Sequence, residues 1–138
     1  MNLHSGLPYW LVKSGLPYTY YPLAKPAKAD VVIMGGGISG ALAAYYLIEA
    51  GVDCIVADAR TIGLGSTCVS TSLLQYEIDV PLSKLKNMRG LYDAARAYSL
   101  CKRAIEELAT IAKKIKYADY ELKNSLYYAA YKKDAALI

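Results

Sequence analysis

Gly35, Gly37 and Gly40 stand in Gly-x-Gly-x-x-Gly spacing directly after the apolar run Asp30-Val31-Val32-Ile33-Met34. The chemistry open to that spacing is anion binding by backbone: a cradle for the diphosphate of a dinucleotide. Gly35 permits a tight turn out of a strand. Gly37 lets the backbone approach the anion without a Cβ in the way, and Gly40 lets the next helix lie close on the sheet. Ile38 and Ser39 open that helix, whose first N–H groups and positive dipole end suit an anion. Asp58 follows Gly40 by 18 residues, at the end of a second apolar run. A carboxylate there can accept hydrogen bonds from ribose hydroxyls and would repel a 2′-phosphate, which disfavours NADP; it could also be only a surface turn residue. Ala59 and Arg60 continue the same segment, and Arg60 can pair with Asp58 or lie against an adenine. The loop Gly65-Ser66-Thr67 offers backbone N–H and hydroxyl donors to a second part of a diphosphate, or is an ordinary polar loop.

These residues need strands and a helix to position them. The four apolar residues within 30–35 lack alternation and predict a parallel strand buried on both faces. A helix is expected from about Ile38 to Ala50, stopped by Gly51. Val52 to Ala57, rich in β-branched residues, predict a second strand, and the three pieces make one βαβ unit of about 30 residues. Residues 61–72 read as a Gly/Ser/Thr loop, and the region of Pro81 as a turn. From about Tyr92 to Lys116, the residues Ala94, Tyr98, Cys101, Ile105, Leu108, Ala112 and Ile115 recur at three- and four-residue steps, predicting a core-facing helix. Ser125 to Tyr131 reads as a strand, and Asp134 as the N-cap of a helix beginning Ala135-Ala136-Leu137-Ile138. A helix one turn long does not persist, so the sequence reads as truncated relative to a complete fold. Ahead of all this, residues 1–29 are rich in Pro, Gly and Tyr and repeat Ser5-Gly-Leu-Pro-Tyr9 as Ser14-Gly-Leu-Pro-Tyr18. They read as an extended arm packed by aromatics. The organisation expected is therefore an arm (1–29), a βαβ core (30–80), and a helical segment with a strand (81–138).

Bulk properties exclude several classes of function. With 138 residues and 55% hydrophobic against 20% charged residues, the chain is a globular domain rather than a disordered one. The net charge of +4 is spread out, and its densest stretch, Lys113 to Lys116, suits a helix C-terminus. No nucleic-acid partner is expected. No apolar run approaches the ~20 residues of a membrane span. The three cysteines, Cys54, Cys68 and Cys101, lack metal-ligand spacing and read as reduced thiols of a cytoplasmic protein. His4 is the only histidine, which leaves no material for a histidine triad or a His-rich metal site. Fourteen Tyr and no Phe is an unusual bias, and each buried Tyr needs a partner for its hydroxyl.

The stretch Asp30-Val-Val-Ile-Met-Gly-Gly-Gly-Ile-Ser-Gly-Ala-Leu-Ala-Ala-Tyr-Tyr-Leu, then Asp58-x-Arg60 and Gly63-x-Gly65-Ser66-Thr67, resembles the FAD-dependent oxidoreductases of the D-amino-acid oxidase/glycine oxidase type. The motif match covers about residues 30 to 75. The resemblance implies a doubly wound, Rossmann-like α/β domain for FAD, followed by a long helix and the start of a sheet-based substrate domain. It implies oxidation of an amine or amino acid by hydride transfer to the flavin. By the same resemblance Gly35, Gly37, Ile38, Ser39 and Gly40 hold the diphosphate, and Asp58 (usually Glu in the family) binds the adenosine ribose beside Ala59 and Arg60. Ser66 and Thr67 contact the diphosphate and ribityl chain, with Gly65 before them. Ser70, Thr71 and Leu73 run along the flavin. Some relatives attach flavin through a His just after the Gly-Ser pair; Thr67 occupies that position here. Two alternatives stay open. An NAD-binding dehydrogenase fragment predicts a third parallel strand soon after Asp58. A non-catalytic Rossmann-type binding or interaction module would keep the fold without turnover.

Overall fold

A computed structural model describes residues 6–16, 18–117 and 119–137. His4, Ser5 and Pro17, and with them part of the Ser-Gly-Leu-Pro-Tyr repeat, lie outside the described residues, as does Ile138. The chain divides into two compact units, residues 1–72 and 73–138. It mixes helices with a small parallel sheet, an α/β arrangement.

In the first unit, strand β1 (Val31–Met34) and strand β2 (Cys54–Ala57) pair in parallel, with Val31 opposite Cys54 and Met34 opposite Ala57. Helix α2 (Ile38–Glu49) connects them. Gly51, at φ +75°, ends α2. Its N–H donates to the Ile48 carbonyl, and the Val52 N–H donates to the Leu47 carbonyl, so a Schellman motif turns the chain back toward β2. These elements fall where the sequence predicts them. The burial of β1 does not. Val31 and Ile33 are half-buried, while Val32 and Met34 are 59% and 91% exposed. A parallel strand without alternation presumes cover on both faces, and α2 packs on this sheet from one side.

The arm is not extended throughout. Helix α1 (Tyr9–Ser14) forms within it and packs against a short 3₁₀ helix, Ser66–Val69, that interrupts the expected 61–72 loop. Tyr9 and Trp10 meet edge to face, and Lys13 lies over the indole ring.

In the second unit, helix α3 (Leu82–Arg89) follows Pro81, and helix α4 (Leu91–Lys114) packs against it. Pro81 is thus a helix N-cap rather than a simple turn, since its fixed φ suits the entry to a helix. The predicted stripe of α4 is largely inward: Ala94 and Ala112 are buried, and Tyr98, Cys101, Ile105 and Leu108 are half-buried. Ile115 lies beyond the last turn and is 64% exposed. Lys116, at φ +55°, takes the left-handed position of a second Schellman motif, with Tyr117 N–H donating to the Ala112 carbonyl. Two Tyr hydroxyls find backbone acceptors here: Tyr98 donates to the Val80 carbonyl and Tyr120 to that of Ile105. Burial raises the pKa of Tyr98, reinforced by Tyr127 and Glu77.

Residues 125–131 form no strand, contrary to the sequence expectation, and so begin no second sheet. Their Leu126, Tyr127 and Tyr128 are mostly exposed. A strand exists through its ladder, and the two-stranded sheet of the described residues lies in the other unit. The terminal helix also starts earlier and winds tighter than predicted, as a 3₁₀ helix over Lys132–Leu137. No described helix is long and apolar enough to cross a membrane.

Gly40 sets the closeness of α2 to β1, because a Cβ there would fall on the Gly35 carbonyl oxygen. Gly40→Ala is expected to destabilise the chain by about 1–3 kcal/mol, read as a lower urea midpoint. Met34→Lys, on the open sheet face, is expected to stay within about 0.5 kcal/mol of wild type.

Candidate functional site

The turn from β1 into α2 is made of three consecutive glycines, so it has no side chains with which to hold itself. Gly35 leaves the strand at φ +106°, a conformation open to glycine, while its N–H still donates to the Ala57 carbonyl. Everything else that fixes the turn comes from the segment after β2. The Asp58 carboxylate accepts from the Gly36 N–H at 2.6 Å through one oxygen and from the Arg60 N–H at 2.8 Å through the other. The Gly63 N–H donates to the Gly36 carbonyl at 2.9 Å. Thr67 Oγ1 accepts from the Ile38 N–H at 3.0 Å.

The last of these bonds is a cap supplied from a distance. The N-cap residue of α2 is Gly37, which has no side chain to offer. Four N–H groups at a helix start lack intrahelical partners. Thr67, 29 residues on, satisfies that of Ile38. Among the described residues, no acceptor falls to the N–H of Ser39 or of Gly40. Ser39 is exposed, and no acidic side chain stands in the first turn. The start of α2 therefore presents two free donors and a positive dipole end with no acidic side chain in its own first turn.

Asp58 is exposed, and its pKa lies below the ordinary carboxylate value. The Gly36 N–H is the main cause, then the Arg60 N–H, with the Arg60 charge adding a smaller effect against a small burial penalty. A carboxylate has about four lone-pair sites, and two are used here, so capacity remains for hydroxyl donors.

The structure brings Gly35, Gly37, Ile38, Ser39, Gly40, Asp58, Arg60 and Thr67 into one neighbourhood around the turn. Ala59, between Asp58 and Arg60, is exposed. Gly65 precedes the 3₁₀ helix, its carbonyl accepting from the thiol of buried Cys68, and Ser66 opens that helix with an exposed side chain. Ser70 ends it: its carbonyl accepts from the Trp10 indole N–H, and its hydroxyl accepts from the Ser72 N–H. Thr71 is exposed, and Leu73, 75% exposed, opens the second unit. Sequence reasoning gave no site role to Gly36, Ile62 or Gly63, although Gly63 stands in the motif Gly63-x-Gly65-Ser66-Thr67. A Cβ on Gly36 would stand 2.5 Å from Ile62 Cγ2. The available signal was the third glycine, placed where the spacing tolerates any residue. Nothing in Thr61-Ile62-Gly63 announces its contact with the turn. No group of three His, Cys, Asp or Glu that could hold a metal ion occurs among the described residues.

Comparison with known proteins places this geometry in context. The family model described as FAD dependent oxidoreductase (DAO) matches residues 30–137. The putative Rieske 2Fe-2S iron-sulfur protein YhfW of Bacillus subtilis (strain 168) is 28% identical over 103 residues, which is 75% of this chain and 20% of that protein. The chain thus spans about a fifth of the length of that curated relative. No solved structure matches.

Asp58 carries a pH dependence whose sign follows from its lowered folded pKa. Its contribution to stability is fully present above the ordinary Asp value of about 3.9 and is lost as pH falls through the lower folded value. Asp58→Asn is expected to destabilise the chain at neutral pH and to flatten the loss of stability below about pH 4. Urea midpoints between neutral and acid pH check this; parallel curves for the two proteins would refute the clasp.

Proposed function

This chain belongs to the FAD-dependent oxidoreductase (DAO) family, and from that membership we propose that it forms the nucleotide-binding part of a flavoenzyme oxidising an amine or amino acid. The observation that carries the reading is the pair of free N–H groups on Ser39 and Gly40, at a helix start whose first donor is already capped by Thr67. A cradle that a Cβ on Gly37 would narrow, set 3.1 Å from Thr67 Oγ1, fits a diphosphate. In this reading Gly37, Ser39 and Gly40 bind the diphosphate through backbone. Gly35 and Ile38 shape the turn, and the remaining lone pairs of Asp58 take ribose hydroxyls with Ala59 and Arg60 alongside. Gly65, Ser66 and Thr67 close over the diphosphate and ribityl chain, and Ser70 and Thr71 border the flavin. When bound, the flavin supplies the two-electron redox chemistry, and the protein supplies orientation and electrostatics.

The domain reading follows the same lines. Residues 30–80 are the Rossmann-like core, residues 1–29 an arm on it, and residues 81–138 the approach to a substrate domain. An NAD-binding fragment fits less well. After β2 the chain wraps the glycine turn and enters a 3₁₀ helix, where a third parallel strand would be expected. The relative's printed name includes a Rieske centre, which takes two His and two Cys. With one His in this sequence, we assign no such cluster to this stretch. Free thiols at Cys54, Cys68 and Cys101 support a cytoplasmic setting.

The experiment is flavin retention. Purified chain is incubated with FAD, desalted and read for visible flavin absorption, with amine and amino-acid substrates then screened by bleaching. A protein that holds FAD without bleaching would be a binding module rather than an enzyme. Ser39→Glu separates binding from folding. A glutamate in the first turn of α2 is expected to keep or raise stability by about 0.3–1 kcal/mol, while like-charge repulsion weakens FAD binding at least about tenfold. Undiminished FAD binding by Ser39→Glu, or a wild-type chain that retains none, would overturn the reading.

A further inference from the structure

Helix α1 lies before the stretch that the family model matches, yet it touches the candidate site. The Trp10 indole N–H donates to the Ser70 carbonyl at 2.8 Å, across 60 residues of sequence. The Ser70 N–H donates to the Thr67 carbonyl, and Thr67 Oγ1 holds the Ile38 N–H. A continuous run of hydrogen bonds therefore links α1 to the first turn of α2. Burial agrees. The buried apolar side chains described in the first unit are Pro8, Ala44 and Cys68. Pro8 is the N-cap of α1, and Cys68 belongs to the 3₁₀ helix on which α1 packs. Just beyond, Ser72 is held at φ +56° with its N–H on the Ser70 hydroxyl, so the exit from the 3₁₀ helix is fixed as well.

We propose that α1 is a strap and Trp10 its positioning residue: together they hold the Ser66–Val69 3₁₀ helix so that Thr67 caps α2 and leaves the Ser39 and Gly40 donors for a diphosphate. Only the identity of the anion rests on the function proposed above. Trp10 touches no ligand atom in this scheme and acts through Ser70 and Thr67. The four-residue 3₁₀ helix has few internal hydrogen bonds of its own, so an external tether decides how long Thr67 stays on Ile38.

The test compares the full chain as wild type, Trp10→Phe and Thr67→Val by amide hydrogen exchange. Trp10→Phe keeps an aromatic ring and removes the donor. Exchange at Ile38 is expected to quicken about two- to tenfold, the worth of one neutral hydrogen bond, and more in Thr67→Val. Exchange at Val52, which reports the far end of α2 through its bond to Leu47, is expected to stay at its wild-type rate. Unchanged exchange at Ile38, or an equal rise at Val52, overturns the strap. FAD affinity should weaken by a similar factor in Trp10→Phe, and an undiminished affinity beside a loosened Ile38 overturns its role in the cradle. A wild-type chain that binds no FAD while Trp10→Phe loosens Ile38 keeps the strap and overturns the cofactor reading instead. Trp10 is the only tryptophan, so its emission needs no substitution to report on the contact. Saturating ADP, which carries the diphosphate without the flavin, is expected to shift that emission; bound ADP with unchanged emission overturns the coupling.

Discussion

A turn built from Gly35, Gly36 and Gly37 can approach an anion closely because it has no side chains, and for the same reason it cannot hold its own shape. Glycine loses more backbone freedom on ordering than any other residue. That cost falls on neighbours, and the segment from Asp58 to Thr67 meets it with three contacts: a carboxylate on the Gly36 N–H, the Gly63 N–H on the Gly36 carbonyl, and a hydroxyl on the Ile38 N–H. The position of α2, the two donors left at its start and the lowered pKa of Asp58 all depend on this clasp.

The clasp also divides charge. Asp58 brings a negative group to a turn whose other end is positive. A bare carboxylate would oppose an incoming anion. The two N–H bonds and the Arg60 charge stabilise its ionised form and offset part of its field. The positive end at Ser39 and Gly40 is left without a counter-charge from the first turn of α2. A ligand with hydroxyls at one end and phosphates at the other matches that polarity, and free phosphate matches only half of it.

Elements with complete local signals were legible in the sequence. Gly51 marks the end of α2 because its left-handed φ is intrinsic to the residue, and the stripe from Ala94 to Ala112 is legible because 3.6-residue periodicity needs no partner to be recognised. The glycine spacing and Asp58 stand out in the sequence for the same reason. What failed depended on partners distant in sequence. A strand at Ser125–Tyr131 needs a neighbouring strand, and burial of Val32 and Met34 needs a second layer over β1. Helix α1 is six residues long, too short to be stable alone; its contact with the 3₁₀ helix is what the local sequence could not announce. The clasp itself was half legible. Asp58, Thr67 and Ile38 stand among the expected site residues, but the bonds of Asp58 to Gly36 and of Thr67 to Ile38 are not legible, because hydrogen bonds across 22 and 29 residues leave no mark on either segment.

Apolar packing contributes little to the order of the glycine turn. Among the described residues, the buried apolar side chains of the first unit are small, Pro8, Ala44 and Cys68, while Val32, Met34, Ile38 and Ile48 are mostly exposed. Apolar burial stabilises in proportion to area, and these small groups contribute little of it. Order at the glycine turn therefore rests on directional bonds, each worth about 0.5–1.5 kcal/mol net. Directional bonds specify geometry better than they supply stability. A site held this way is accurate in shape yet opens locally at low cost. A ligand that binds only the ordered form stabilises it by mass action. The free donors at Ser39 and Gly40 mark where such a ligand would complete a set of hydrogen bonds that the chain makes only in part.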